Sequence, residues 1–200
     1  MSFNSTPTYR LHDRTPAGIR HRPSLGLVIG FLGIGTVALP LSAITLHSRH
    51  EGFASHFPDA TWERETVYLT KEERDRVAEL AGHDMVQFVI HTYTARHSSG
   101  EVRGIAYLDH HRVRTLAETV NVLIDPTGNI IDLQVLEFHE PVEYLPRREW
   151  YEQFLGKRLT PGLNLKRDID GVTGATLTTR ATTQAARRML AVHEVISDRE

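Results

Sequence analysis

Hydroxyl and carboxylate side chains are concentrated in one short segment near the carboxyl end of the chain, 168–179 (DIDGVTGATLTT). Two glycines lie within it, and a run with helical periodicity follows directly. Glycine lets a backbone approach a ligand closely, while the free amides and the positive dipole end of a helix favour an anion. The pattern therefore indicates a phosphate site. Threonines that only cap the helix, with Gly174 making the turn, explain the same residues equally well.

Composition narrows the chemistry available elsewhere in the chain. The 200 residues contain no cysteine, which excludes disulfides, thiolate metal sites and a cysteine nucleophile, so any redox chemistry must use a cofactor without sulfur ligands. The net charge of −2 gives no reason to expect nucleic acid as a partner. Twelve histidines occur without a metal-binding spacing, so no metal site is predicted. Haem ligation by His91, His97 or His139 remains open beside ordinary surface or core roles.

Local signals predict an α+β fold in which helices flank an antiparallel sheet. Thr70 and Glu73 form a capping box that starts a helix over 71–81, and Gly82 ends it. Strands are predicted at 85–95, 102–109, 119–125 and 130–138, joined as two hairpins by turns at 97–100 and 125–129. Further helices are predicted at 147–155, after Pro146, and at about 179–196.

An apolar stretch, 25–46, contains no charged residue over 22 positions. As a helix it would span roughly 33 Å, enough to cross a hydrocarbon core of about 30 Å. Four arginines in the preceding tail favour a cytoplasmic amino terminus. The predicted organisation is a basic cytoplasmic tail (1–24), a transmembrane helix (25–46), a connector (47–60) and an extracytoplasmic domain (61–200). A signal peptide cleaved near Ser42 and Ala43, or a buried soluble helix, are the alternatives.

The string 170–176 (DGVTGAT) resembles the acceptor motif of the covalent FMN-binding domain family, D-g-x-[ST]-G-A-[TS], at every specified position. This family includes the FMN-carrying subunits of the sodium-translocating NADH:quinone reductase and of the Rnf-type electron-transport complex, together with stand-alone membrane-anchored relatives. The resemblance implies that a separate flavin transferase uses FAD to attach FMN, through its phosphate, to the hydroxyl of Thr176. It also implies that the transferase recognises Asp170 and Gly174, and that Thr173, Thr178 and Thr179 lie near the phosphate.

A second segment, 137–141 (EFHEP), is similar to the part of the family that lies beside the flavin ring. The Thr-Pro-Gly-Leu-Gly expected after the glutamate is replaced by 141–146 (PVEYLP), which favours a stand-alone relative. No catalytic residue is assigned. The candidate cofactor-binding residues are Asp170, Thr173, Gly174, Ala175, Thr176, Leu177, Thr178, Thr179, His139 and Glu140.

The resulting hypothesis is a single-pass flavoprotein of the bacterial cytoplasmic membrane whose main domain lies in the periplasm. It relays electrons through FMN at Thr176 between adjacent redox proteins of a membrane electron-transport chain, after maturation by the transferase. Two other functions remain open at this point. One is a flavin-dependent reductase of a small acceptor, and the other is a flavin-free anchored scaffold or sensor module.

Overall fold

One antiparallel sheet is the frame of the fold. The structure is a computed structural model that describes residues 44–45, 51–84 and 87–199. Within these residues the strands are β1 (Ile44–Thr45), β2 (Thr61–Tyr68), β3 (Val89–Arg96), β4 (Val102–Arg112), β5 (Ala117–Ile124) and β6 (Ile130–Phe138). The helices are α1 (Glu51–Ala54), α2 (Lys71–Ala81), α3 (Arg148–Tyr151) and α4 (Thr176–Ser197), with 3-10 turns at Val142–Tyr144 and Glu152–Phe154. The strand order is β1-β6-β5-β4-β3-β2, and each neighbouring pair is antiparallel.

The predicted α+β class and the antiparallel sheet are confirmed. The four predicted strands correspond to β3, β4, β5 and β6, although β3 begins only at Val89. The capping box of α2 is present: Thr70 Oγ1 accepts from the Glu73 amide at 3.2 Å, and the Glu73 carboxylate accepts from the Thr70 amide at 2.8 Å. Gly82 ends this helix with a φ of 77°. Residues only a few positions apart specify these features, so a sequence suffices to predict them.

Three elements differ from the prediction. Strand β2 was not predicted, because it is an edge strand whose side chains are mostly exposed, and charged residues at 63–65 interrupt any alternation of apolar and polar positions. Helix α4 begins at Thr176 instead of 179, because its N-cap is Ala175, which has no side-chain capping bond and so gives no signal in the sequence. The predicted helix 147–155 is divided into α3 and a 3-10 turn.

Helices α2 and α4 belong to the same core as one face of the sheet. The fully buried members of this core include Tyr107, Phe138, Phe154 and Met189. Burying a side chain of this kind stabilises the fold by about 1.5–3 kcal/mol. A smaller cluster is formed by Tyr93, Ala106, Leu108, Leu123 and Leu136, against which Phe57, Trp62 and Ile131 pack. Burial along α4 is extensive from Thr178 onward, which fixes the position of its amino-terminal turn.

The predicted tail (1–24) and residues 25–43 of the predicted span lie outside the described residues. At the end of that span, Ile44 and Thr45 form β1 and pair with Phe138 and Glu137, so these two residues are not helical as the prediction required. In the part of the chain that the structure describes, no helix has both the length and the apolar character needed to cross a membrane. The predicted connector contains the short helix α1.

Candidate functional site

The motif segment 170–176 is anchored at its buried residues and exposes two hydroxyls. The backbone of Asp170 is fixed on both sides, because its amide donates to Gln153 Oε1 at 2.8 Å and its carbonyl accepts from Trp150 Nε1 at 2.6 Å. Further along, Val172 packs against the main core and Ala175 is buried. Thr173 lies between Val172 and Ala175 and is exposed. Thr176 follows Ala175 and is also exposed. The carboxylate of Asp170 is exposed as well.

Thr176 is the first residue of α4, at the position where a helix has free backbone amides. Gly174 makes the turn into the helix with a φ of 86°, a conformation that favours glycine. The N-cap, Ala175, has no polar side chain, and no side chain caps this helix. The amides of the first turn have no acceptor within a helix, and the dipole adds positive potential there. An anion bonded to the Thr176 hydroxyl would meet these amides.

Thr178 and Thr179, also predicted to lie near the phosphate, differ in whether their hydroxyls can bind a ligand. Thr179 Oγ1 donates to the carbonyl of Thr176 at 3.1 Å, within the helix, and Thr179 is fully buried. Thr178 is 1% exposed, and its Oγ1 has no hydrogen-bond partner in the described part of the chain. A buried hydroxyl without a partner is costly, so this atom marks a place where a ligand can supply the missing bond.

Two cavities meet at Thr176. The larger, about 640 Å³, is polar and is lined by the motif together with Lys166 and Arg180. Lys166 is one of the residues that line this larger cavity, and its backbone has a left-handed φ of 63°. The smaller, about 130 Å³, is lined by residues 174–178 together with Arg114 and Tyr144. A third cavity, about 350 Å³, lies along β6 and α3 and contains no residue of the motif.

Glu140 and His139, predicted to contact a flavin, lie next to the β4–β5 turn. Glu140 Oε1 accepts from the backbone amides of Leu116 and Thr115, both at 2.8 Å, and of Arg114 at 3.2 Å. The Leu116 amide first, and then the other two, hold the pKa of Glu140 below its ordinary value. The carboxylate is therefore engaged by the protein itself. The His139 amide donates to the carbonyl of Ala117 at 3.1 Å.

Sequence reasoning did not single out Arg114 or Lys166, which line the two cavities on either side of Thr176. Arg114 belongs to the β4–β5 turn, 62 positions before Thr176 in the chain. No local pattern marks it, because its position follows from the pairing of strands and from the long-range bonds of Glu140. Tyr144, by contrast, lies in the segment where the sequence departs from the family pattern.

Fold and site together define a class of protein: an α+β domain with a single antiparallel sheet that presents a threonine hydroxyl at the free amino terminus of a long helix. The family model described as FMN-binding domain matches residues 89–191, just over half of the chain. The chain belongs to the FMN-binding domain family. This match includes the whole motif and all the residues that line the 130 Å³ cavity. No curated protein and no solved structure matches the chain significantly.

Proposed function

We propose that this protein is a membrane-anchored electron carrier in which FMN is joined through a phosphoester to Thr176. The cofactor in this proposal is FMN because the chain belongs to the FMN-binding domain family. When bound, FMN supplies the electron-accepting and electron-donating chemistry, and the protein supplies its position and electrostatic surroundings. The observation that carries the proposal is the placement of Thr176, an exposed hydroxyl on the first residue of an uncapped helix.

The residues present fit a phosphate at this position. The free amides of the first turn of α4 supply donors and the helix dipole supplies positive potential, so the phosphate charge is balanced without a dedicated arginine. The unpartnered Thr178 Oγ1, two residues further on, offers one more polar contact for the cofactor. Thr179 is not available for this purpose, because its hydroxyl bonds to the Thr176 carbonyl.

Attachment of the cofactor requires a second protein. In the reaction that the family resemblance implies, a bond forms between Thr176 Oγ1 and the FMN phosphorus of FAD. The diphosphate bond of FAD breaks, AMP leaves, and the hydroxyl proton passes to a base of the transferase. The anchored and exposed loop from Asp170 to Thr176 suits this step, because a partner enzyme can reach the hydroxyl without unfolding the domain.

The proposed location is the outer face of the bacterial cytoplasmic membrane. The uncharged stretch 25–43, which precedes β1, and the arginine-rich tail before it support this location. A covalent bond would prevent loss of the flavin by dilution outside the cytoplasm. Adjacent redox proteins of the membrane would then be the electron donor and acceptor.

The test is production of the full chain with and without a flavin transferase of this type. We expect intact-mass analysis of the co-produced protein to show the addition of one FMN less one water, and its denatured gel band to fluoresce. Thr176→Ala should abolish both signals, and Thr176→Ser should keep them because it retains a hydroxyl. Ser98→Ala removes an exposed hydroxyl outside the motif and should keep the label. An unlabelled wild-type chain, or a labelled Thr176→Ala chain, would refute the tether.

Turnover measurements separate the carrier from a flavin reductase. A carrier exchanges electrons with a protein partner and gives negligible steady turnover with small acceptors. Rapid steady reduction of a small acceptor by the isolated flavinylated protein would favour the reductase instead.

A further inference from the structure

The turn between β4 and β5 is held rigidly by one buried carboxylate. Glu140 is 7% exposed, and its Oε1 accepts three consecutive backbone amides, those of residues 114–116. Within the turn, the Val113 amide also donates to the Leu116 carbonyl at 3.1 Å. Because the backbone is fixed on both sides, the direction in which the turn projects its side chains is fixed too.

This turn projects Arg114 toward the motif. The guanidinium carbon lies 5.3 Å from the centroid of the Tyr144 ring, and both residues line the 130 Å³ cavity beside Thr176. Arg114 has no ion-pair partner among the described residues, although it lies at a site formed by several protein elements. An arginine that lies over an aromatic face and forms no ion pair remains available to a further electron-rich group, although its charge also contributes to lowering the pKa of Glu140.

A group tethered to Thr176 can extend to either of the two cavities, and their chemistry differs. On one side are the cationic and amide side chains of the 640 Å³ groove, which suit a charged or strongly polar group. On the other side are Tyr144, the 43%-exposed Leu177 and the unpartnered hydroxyl of Thr178. A flat aromatic ring with polar edges matches the second side, because it can cover the apolar surface and bond the hydroxyl at the same time.

We propose that the flavin ring lies against Tyr144 and Leu177, with Arg114 as its cationic contact and Glu140 as the positioning residue that holds Arg114 in place. This inference rests on the proposed attachment of FMN at Thr176. It replaces the predicted direct contact between Glu140 and the flavin by an indirect one, in which the carboxylate acts through the turn.

Two properties of the bound cofactor follow. A fixed positive charge next to the ring stabilises the electron-rich reduced flavin, so Arg114 raises the midpoint potential. The cavity of 130 Å³ is smaller than the roughly 300–1,000 Å³ of pockets that enclose a whole ligand of this size. Part of the ring therefore stays at the surface, where a redox partner can approach it.

The experiment is a spectroelectrochemical titration of the full, flavinylated chain in detergent. Arg114→Gln should shift the midpoint potential to more negative values, and Arg114→Lys should recover most of the wild-type value because it keeps the charge. Arg180→Gln removes the same charge from the other groove and should leave the potential close to wild type. Equal potentials for wild type and Arg114→Gln, or a larger shift in Arg180→Gln, would overturn the assignment.

The positioning role of Glu140 has its own readout. Glu140→Ala and Glu140→Gln remove the same negative charge, but only Glu140→Gln keeps an oxygen acceptor for the three amides. The potential of Glu140→Ala should therefore be more negative than that of Glu140→Gln, and this difference should disappear when Arg114→Gln is added to both. An equal difference in the Arg114→Gln background would contradict this role. Circular dichroism confirms folding, and the exposed Arg114 variants test the contact even where Glu140→Ala does not fold.

Failure of this inference is distinguishable from failure of the proposed function. Intact mass is measured first on every variant. A wild-type chain without FMN refutes the tether and therefore both proposals. A chain that carries FMN at Thr176 but has a potential insensitive to Arg114 refutes only the assignment of the ring to this cavity.

Discussion

Four ionisable side chains form a buried network between β4, β5 and α4. His111 Nδ1 lies 2.8 Å from Asp109 Oδ1, and His111 Nε2 lies 2.7 Å from Glu118 Oε2. Arg188 donates to both carboxylate oxygens of Asp109, at 3.0 and 2.8 Å. Both carboxylates are fully buried. One guanidinium and one imidazole therefore balance the two negative charges only while the imidazole is protonated.

This arrangement predicts how the stability of the fold depends on pH. Burial by itself would lower the pKa of His111, but the hydrogen bonds and charges of Asp109 and Glu118 outweigh burial and raise it to about 9. The folded-state pKa lies above the ordinary 6.5, so protonation of His111 stabilises the fold fully below pH 6.5. This stabilisation is lost as the pH rises through about 9. At about 1.4 kcal/mol per pKa unit, the loss is about 3 kcal/mol.

Urea unfolding measured at several values from about pH 6.5 to about pH 9.5 tests this prediction. The wild-type free energy of unfolding should fall across the range by about 3 kcal/mol. His111→Gln cannot gain the proton and should be less stable at the lower pH, with most of the fall removed. His110→Gln is the matched control, because its exposed side chain comes from the adjacent residue and the network stays intact. The reasoning is refuted if His111→Gln shows the same fall as wild type.

Two further substitutions test the turn before α4 and the anchoring of that helix. Gly174→Ala places an alanine at a φ of 86° with no atom near the new Cβ, so it should destabilise the fold by about 1 kcal/mol through backbone strain alone, measured by urea unfolding. Gly171→Ala is its control, because Gly171 has equal space and no positive φ; equal losses would contradict the argument. Arg187→Met removes a guanidinium that donates to four carbonyl oxygens of α2 and of the 160–163 loop, and it should cost about 3 kcal/mol. A thermal midpoint unchanged from wild type would show that these bonds contribute nothing.

The elements that could be predicted from the sequence are those specified by nearby residues. The capping box of Thr70 and Glu73 defines the start of α2, and β6 begins and ends where the turn chemistry and the apolar pattern place it. The adjacent residues His110 and His111 alternate across β4, as in any strand: His110 is exposed, and His111 reaches the fully buried Glu118. Strand β2 was not predicted because it is an exposed edge strand, and its sequence lacks the alternation of apolar and polar residues that indicates a strand.

The candidate site was predictable only in its local part. The motif placed Thr176 beside a helix, and the structure makes it the first residue of that helix. The partners of Glu140 are amides 24 to 26 positions earlier in the chain, and no sequence pattern indicates that they meet. Arg114 reaches the site only through that pairing. The residues that line the 130 Å³ cavity from a second element depend on strand order, and strand order is a property of the whole sheet.

The buried network and the proposed site are connected by α4. This helix has to expose Thr176 and Leu177 while the turns that follow are buried, and Thr182 Oγ1 already donates to Glu118 at 3.3 Å. Charged groups fixed at this depth resist small rotations of the helix, because any rotation would leave a buried carboxylate without its partners. The ionic contacts beneath α4 therefore hold the first-turn amides in one orientation, as the proposed attachment of FMN at Thr176 would require.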